Sequence, residues 1–303
     1  MSRATNGTPE NGTPESPRWS VRAELRAFAA AFTFMTRIPL GRWIAHDLTD
    51  LPRSAVWFPL VGAVVGAIGA AGLLLALRWW SPFVAALLAT MITVRLTGAF
   101  HEDALADALD GFGGGWSVEQ VLAIMKDSRV GSYALIGMIL VVVMKCTLLA
   151  DLATTSIASG RPWHGLPLVA SALVSAHALG RCSSIWLMAA LPYVRPPGSA
   201  ERRDTERRDA ERSSAGKPFV DGVRMGRATA ATIQTGVLVF LCLGTIAWVP
   251  LLIALLLTTV SGRYFRQRIG GITGDTLGAV NQLVELGVYL ILAAAPIRGL
   301  FTP

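Results

Sequence analysis

Five ionisable side chains, His101, Glu102, Asp103, Asp107 and Asp110, crowd into ten residues just where an apolar run ends at Phe100. Ala104 to Leu109 are mostly good helix formers and Gly111 is the first strong breaker, so the spacing predicts helix through Asp110. At about 100° per residue, Asp103, Asp107 and Asp110 fall within roughly 60° of one another. No basic residue lies on the same turns to relieve the three like charges. Such a stripe is either a solvated acidic face or the seat of a divalent cation, and Asp oxygens with waters suit Mg²⁺. The run Gly113, Gly114, Gly115 that follows lets a main chain approach phosphate oxygens closely. His101 can serve as a ligand or proton acceptor, although on a helix it faces away from the three Asp residues.

Two more stretches carry groups of the same kind. In Ile124 to Tyr133, Asp127 offers a further metal oxygen, while Lys126 and Arg129 can hold phosphate oxygens, the latter in bidentate fashion. Their plain alternative is the basic flank of a helix end. In Gly270 to Ala279, glycines leading into a helix offer free backbone N–H groups to anionic oxygens. There the plain alternative is a cap made by Asp275 and Thr276. Glu285, further along the same segment, lies in apolar sequence and needs a partner. Arg95 and Arg181 are the candidates, each equally suited to an ion pair or to substrate; Arg95 is expected to face the bundle, and Lys145 to snorkel outward.

These groups need a scaffold, and composition says which. The chain has 303 residues, 52% of them hydrophobic, with 16% charged and a net charge of +7. Its mean hydropathy is +0.50. Soluble domains average about 25% charged residues. The apolar residues gather in blocks of bilayer length, so an all-α, polytopic integral membrane helix bundle is expected. The positive charge lies largely in loops and is no sign of nucleic-acid binding. Cys146, Cys182 and Cys242 sit in apolar blocks without ligand spacing and read as buried filler. His46, His164 and His177 also lack ligand spacing and read as structural.

About seven spans are expected, over 56–77, 82–100, 132–149, 166–191, 228–249, 251–260 and 277–296, after an amphipathic interfacial helix within 20–40. Glycines 62, 66, 69 and 72 of the first span favour close helix packing. Residues 1–19 read as a disordered tail and 20–303 as one membrane-embedded catalytic domain, with a charged low-complexity insertion at 196–216. Threading seven spans with the N-terminus inside leaves only Arg78, Arg161 and Arg298 on the outer side. The positive-inside rule therefore puts the N-terminus and every chemistry-bearing stretch at the cytoplasmic face.

Taken together, the three stretches resemble the cobalamin synthase family, the adenosylcobinamide-GDP ribazoletransferases. The family pattern T-G-x-x-H-x-D-G-x-x-D-x-x-D-G matches Thr97 to Gly111, I-M-[KR]-D-S-R-x-G matches Ile124 to Gly131, and G-G-x-T-G-D-x-L-G-A matches Gly270 to Ala279. Weaker echoes are Phe34 to Pro39, Phe58 to Gly62 and Leu191 to Arg195. Ala104 stands where the family has glycine, and the insertion after Arg195 is longer than the family loop.

The resemblance implies joining of adenosylcobinamide-GDP, a corrinoid, to α-ribazole or its 5′-phosphate with release of GMP, a Mg²⁺ requirement, and a place in the bacterial cytoplasmic membrane. It leaves room for a homo-oligomer or for association with other enzymes of cobalamin synthesis. On this reading Asp103, Asp107, Asp110, Asp127 and Asp275 hold metal. Lys126, Ser128, Arg129, Arg95, Arg181, Gly113, Gly114, Gly271, Thr273 and Gly274 meet substrate, and His101 or an Asp takes the hydroxyl proton. Two rivals are a CDP-alcohol phosphotransferase, whose D-G-x-x-A-R segment is missing after Asp110, and an ion-coupled transporter, which would place its carboxylates near mid-membrane in inverted repeats.

Overall fold

A computed structural model describes residues 20–45, 50–159, 167–194 and 219–294. The tail, the 196–216 insertion, His46 and His164 lie outside the described residues. Eleven helices are labelled here: α1 (Val21–Met35), α2 (Leu51–Ser54), α3 (Phe58–Ala76), α4 (Pro82–Thr97), α5 (Phe100–Gly114), α6 (Val118–Met125), α7 (Ser132–Ser159), α8 (Leu168–Ala190), α9 (Met225–Leu243), α10 (Trp248–Ile269) and α11 (Gly274–Ala293). The all-α membrane bundle is borne out.

Among the described residues, five helical stretches qualify by length and apolarity to cross a membrane, or six if the bent pair α4–α5 is one span. One of the five is the whole of Met225–Ile269. As a straight helix it would reach about 68 Å, more than twice a hydrocarbon core of ~30 Å. It breaks at Gly244, whose φ of 56° and ψ of −134° suit only glycine. Its two outer ends return to one side: Arg227 donates to the Pro52 carbonyl and Arg268 to the Gly115 carbonyl. Division at Gly244 makes two legs of this stretch, and the short span expected over 251–260 is part of the longer α10.

The central helix is α8, buried along nearly its whole length and contacted by α3, α9, α10 and α11. Small residues set how closely its neighbours approach. A Cβ at Gly62 would lie 2.2 Å from the His177 carbonyl oxygen, and one at Gly66 2.5 Å from that of Leu173. Gly69 and Gly72 do the same toward Thr93 and Ile92 of α4. Both faces of α3 therefore rely on missing side chains, as the glycine spacing predicted.

The second expected span differs in a way that matters for the site. Rather than running on into the acidic stretch, α4 ends at Gly98 and Ala99, both left-handed with φ of 72° and 60°. The chain turns by 92° before α5 begins. An L-residue in this conformation costs roughly 1–2 kcal/mol. Arg37 lies over the bend: its main-chain N–H donates to the Leu96 carbonyl, and a Cβ on Gly98 would meet its Nε at 2.4 Å. The acidic helix thus lies across the end of the bundle, outside the spanning segments.

Candidate active site

The acidic helix α5 runs past Gly111 to Gly114, correcting the stop expected at Asp110. Gly111 is needed for packing: a Cβ there would fall 2.6 Å from Met125 Cγ of α6. Gly113 packs under the Tyr133 ring, and Gly115 ends the helix by donating to the Gly111 carbonyl. Gly113 and Gly114 are therefore a helix terminus and no phosphate loop. Arg268 holds that terminus, donating to the Gly115 carbonyl at 2.8 Å and lying over the rings of Phe112 and Tyr264. Nothing in the local sequence marks Arg268 for this role, because Gly115 lies 153 residues away.

The predicted stripe forms, with Asp103 exposed, Asp107 partly buried and Asp110 buried. Burial, then Asp103, then Asp110 push the Asp107 carboxyl up to about 6. Across from it, α11 brings Asp275, which Asp107 and Asp103 act on electrostatically. That approach depends on a tight helix crossing, where a Cβ on Gly278 would lie 2.3 Å from the Cβ of Ala104. With Gly278 opposite, alanine fits where the family pattern has glycine.

Asp110 shares the stripe but is already engaged. Its oxygens accept from the Gly131 N–H at 2.6 Å and the Ala134 N–H at 2.9 Å, capping the start of α7. Asp127 is engaged too, since Arg129 Nε and Nη2 bind it in bidentate fashion at 2.5–3.1 Å. This pairing holds the partly exposed Asp127 carboxyl down at about 2. Lys126, Ser128 and Arg129 are all exposed on the turn between α6 and α7.

The glycine stretch before α11 also differs from expectation. A Cβ on Gly271 would sit 2.1 Å from the Pro192 carbonyl oxygen, so its bareness serves strand-like pairing of 192–194 with Ile272. Thr273 is the N-cap of α11, with Thr276 returning the bond at 2.9 Å, so the capping alternative holds with Thr273 as its head. Of Gly271, Thr273 and Gly274, only Gly274 is exposed.

Of the two arginines, one departs from expectation and the other takes its ion-pair alternative. Arg95 is exposed on the outside of α4, beside Arg37 and Leu96, and does not face the bundle. Arg181 is 1% exposed and bonded to Glu285, which is the ion-pair alternative. Lys145 does not snorkel outward: it is buried, 3.1 Å from Glu285 and 2.8 Å from Gln282. His177 completes the cluster at 2.8 Å from Glu285. Gln282 in turn donates to Glu102 at 3.0 Å, so the buried network reaches the start of α5. The partner of Glu102 is not legible in the sequence because it lies 180 residues away.

His101 is 2% exposed and, as its helical position implied, turned from the stripe. It lines a cavity of about 170 Å³ with Phe34, Phe58, Phe100, Tyr193 and Phe219. Its Nδ1 is sealed from solvent and has no hydrogen-bond partner among the described residues.

Asp103, Asp107 and Asp275 therefore remain as carboxylates brought together without compensation. Among the described residues, none of them forms an ion pair with Arg, Lys or His within 4.0 Å. Neither do any three His, Cys, Asp or Glu residues there stand close enough to hold a metal by themselves. Mg²⁺ seldom uses an all-protein cage; it keeps several waters and takes one or two carboxylates plus substrate phosphates. A loose acidic set fits that habit.

A family model described as cobalamin-5-phosphate synthase matches residues 27–293. Proteins named adenosylcobinamide-GDP ribazoletransferase are similar along most of the chain. The one from Shewanella pealeana is 38% identical over 270 residues, 89% of this chain and 95% of its own length. That from Shewanella baltica strain OS185 is 38% identical over 279 residues, covering 91% and 97%. That from Shewanella frigidimarina is 40% identical over 273 residues, covering 89% and 95%. No solved structure matches. With its three motif stretches brought to one end of a membrane bundle and the match running from α1 through α11, the chain belongs to the cobalamin-5-phosphate synthase family.

Proposed function

We propose that this protein joins adenosylcobinamide-GDP to α-ribazole or its 5′-phosphate. A hydroxyl oxygen of α-ribazole bonds to the phosphorus attached to adenosylcobinamide. The bond from that phosphorus to the GMP oxygen breaks, and GMP departs with the electron pair. The observation that carries the reading is the convergence of Asp103, Asp107 and Asp275 without basic partners. Uncompensated carboxylates at one spot are costly, and a diphosphate with its divalent ion would neutralise them.

Asp103, Asp107 and Asp275 would hold Mg²⁺, with Asp110 behind them fixing where α7 begins. When bound, the ion supplies charge neutralisation on the non-bridging phosphate oxygens, which is most of what such a transfer requires. Lys126 and Arg129, on a turn two residues from the Asp110-bonded Gly131, are within the same end of the bundle and suit the diphosphate. Binding there requires Arg129 to exchange Asp127 for phosphate. The hydroxyl proton passes to a carboxylate of the acidic set, since His101 faces the other side of α5.

The site faces the cytoplasm, and the bilayer is a bacterial cytoplasmic membrane. Support comes from the arginines and lysines, which concentrate at the end of the bundle carrying the acidic set. The test is a membrane preparation of the full chain given both precursors, with Mg²⁺ or with chelator. Product and GMP should appear only with the ion. Product formed equally in chelator would overturn the metal assignment, and no product at all would overturn the activity.

A further inference from the structure

The hairpin of α9 and α10 leaves a cleft that the acidic set does not use. Its two legs join at Gly244 and pack on α8, but hardly on each other. The space beside them is about 550 Å³, lined by α8 from Leu179 to Leu191, by α10 from Leu251 to Arg266, and by Thr232 of α9. From Leu251 to Arg266 a helix rises about 22 Å, half of the ~40–45 Å that a bilayer measures with its headgroups.

The walls are apolar, and their few polar groups are spent. Thr258 and Thr259 donate to the Ala254 and Leu255 carbonyls of their own helix. Ser183 donates to the Gly180 carbonyl, and Trp186 Nε1 to Thr232 Oγ1 at 2.7 Å. Water in such a space would find too few partners, and an empty one would forfeit dispersion contacts along its lining. Leu252 and Leu255 are exposed on the rim, so the cleft opens along its flank to the bilayer. Hydrocarbon is what fills it.

Charge appears at one end only. Arg263 and Arg266 line the mouth one turn apart on α10, both exposed. Among the described residues neither forms an ion pair. Arg268, two residues on, is already held by the Gly115 carbonyl, so the mouth lies at the bundle end that carries the acidic set. Two guanidiniums without an anion, one leaflet's depth from the apolar tip, match a molecule with a phosphate at one end and an alkyl chain at the other. A choline or ethanolamine head would bring its own cation against the arginines, so a net negative head fits better. A neighbouring protein's helix is about 10–12 Å across and would have to wedge between legs that meet at Gly244.

We infer that this cleft binds one anionic phospholipid, with its phosphate held by Arg263 and Arg266 and one acyl chain laid along α10 against α8. The tail gains little over ordinary bilayer, because lipid tails are as apolar as leucine. The head supplies the preference, and the cleft fixes where the tail lies. Seated there, the lipid ties down the end of α10, from which the chain passes through Gly270 to Asp275. The site does not depend on the reaction proposed above.

The experiment is native mass spectrometry of the full chain released from detergent micelles doped equally with dioleoyl phosphatidylglycerol and dioleoyl phosphatidylcholine. The two lipids share their tails and differ in net charge. Wild type should carry one phosphatidylglycerol in preference, by roughly 25-fold at about fivefold for each arginine. Arg263→Gln combined with Arg266→Gln should lose most of that preference. Removing the same charge at the exposed Arg22 and Arg42, each to Gln, should leave it intact. Thr258→Trp fills the cleft and keeps both arginines, and should cut phosphatidylglycerol uptake by about fivefold or more with an unchanged melting temperature in plain detergent. Should that variant melt lower, Leu255→Trp on the exposed rim reads the same outcome. No preference in wild type, or a preference unmoved by the Arg263 and Arg266 changes, would overturn the site. So would an equal loss from the Arg22 and Arg42 changes, or uptake indifferent to the tryptophans. A lipid-free dimer that Thr258→Trp abolishes would give the cleft to a second copy and overturn the lipid assignment as well.

Discussion

Two clusters of charge share helix α11 and behave oppositely. Ten residues separate Glu285 from Asp275, yet Glu285 lies fully buried among Arg181, Lys145 and His177, each bonded to it. Asp275 instead meets Asp107 and Asp103, carboxylates like itself. In the first cluster the protein has supplied the counter-charges; in the second it has left them out. A satisfied ion cluster within a membrane bundle fixes how α7, α8 and α11 dock. On the proposed function, an unsatisfied one at the bundle's end would receive a cation and a phosphate-bearing substrate. Burial alone does not mark function here; the absence of compensation does.

This contrast can be broken first at Asp107. Asp107→Asn keeps shape and removes charge, and turnover should fall about 10²–10³-fold, as for loss of a major electrostatic group, while yield and melting temperature hold or rise. A variant that is inactive because it fails to fold would erase the distinction. Next, Glu285→Gln leaves Arg181 and Lys145 buried without their anion. Breaking such a cluster costs about 3–5 kcal/mol, so the expected result is a lower melting temperature and poor yield, with any folded fraction retaining activity. A stable but inactive Glu285→Gln would move that cluster into the site.

Asp110 tests where the boundary runs, because it shares the acidic stripe yet bonds to main-chain N–H groups of α7. Asp110→Ala should cost about 1 kcal/mol of stability, the worth of a helix cap, with a partial loss of rate through displacement of α7. A loss as deep as that of Asp107→Asn with unchanged melting would make Asp110 a metal ligand after all. The smallest effect is in pH. The Asp107 carboxyl is raised in the fold from about 3.8 to about 6, so the folded chain holds more protons than the unfolded one between those values. Metal-free protein should therefore lose stability as pH rises through that window, and Mg²⁺ or Asp107→Asn should flatten the trend. Thermal melting at graded pH, with and without the ion, reads it.

Much of the site was legible in order but not in depth. The acidic spacing was visible because a helix repeats every 3.6 residues, and Asp103, Asp107 and Asp110 must share a face wherever that helix lies. What Asp110 bonds to was hidden, since Gly131 and Ala134 are more than twenty residues away. The glycines were harder. Gly113, Gly114 and Gly271 resemble phosphate-loop residues in sequence, but the fold uses Gly113 to admit Tyr133 and Gly271 to admit Pro192. A missing side chain admits a ligand or a neighbouring chain equally well, and only the neighbour's position tells which.

By itself the sequence determined the membrane bundle, the family and the helical face that carries the carboxylates, because apolar block length, motif order and helical period are local properties of the chain. Tertiary structure decided which charges are cancelled. Arg181 and Lys145 meet Glu285 across more than a hundred residues, Asp275 finds Asp107 only because Gly278 slides against Ala104, and His101 opens onto aromatic rings drawn from four separate helices or turns. Electrostatic partnership depends on distance in space, which chain order does not record.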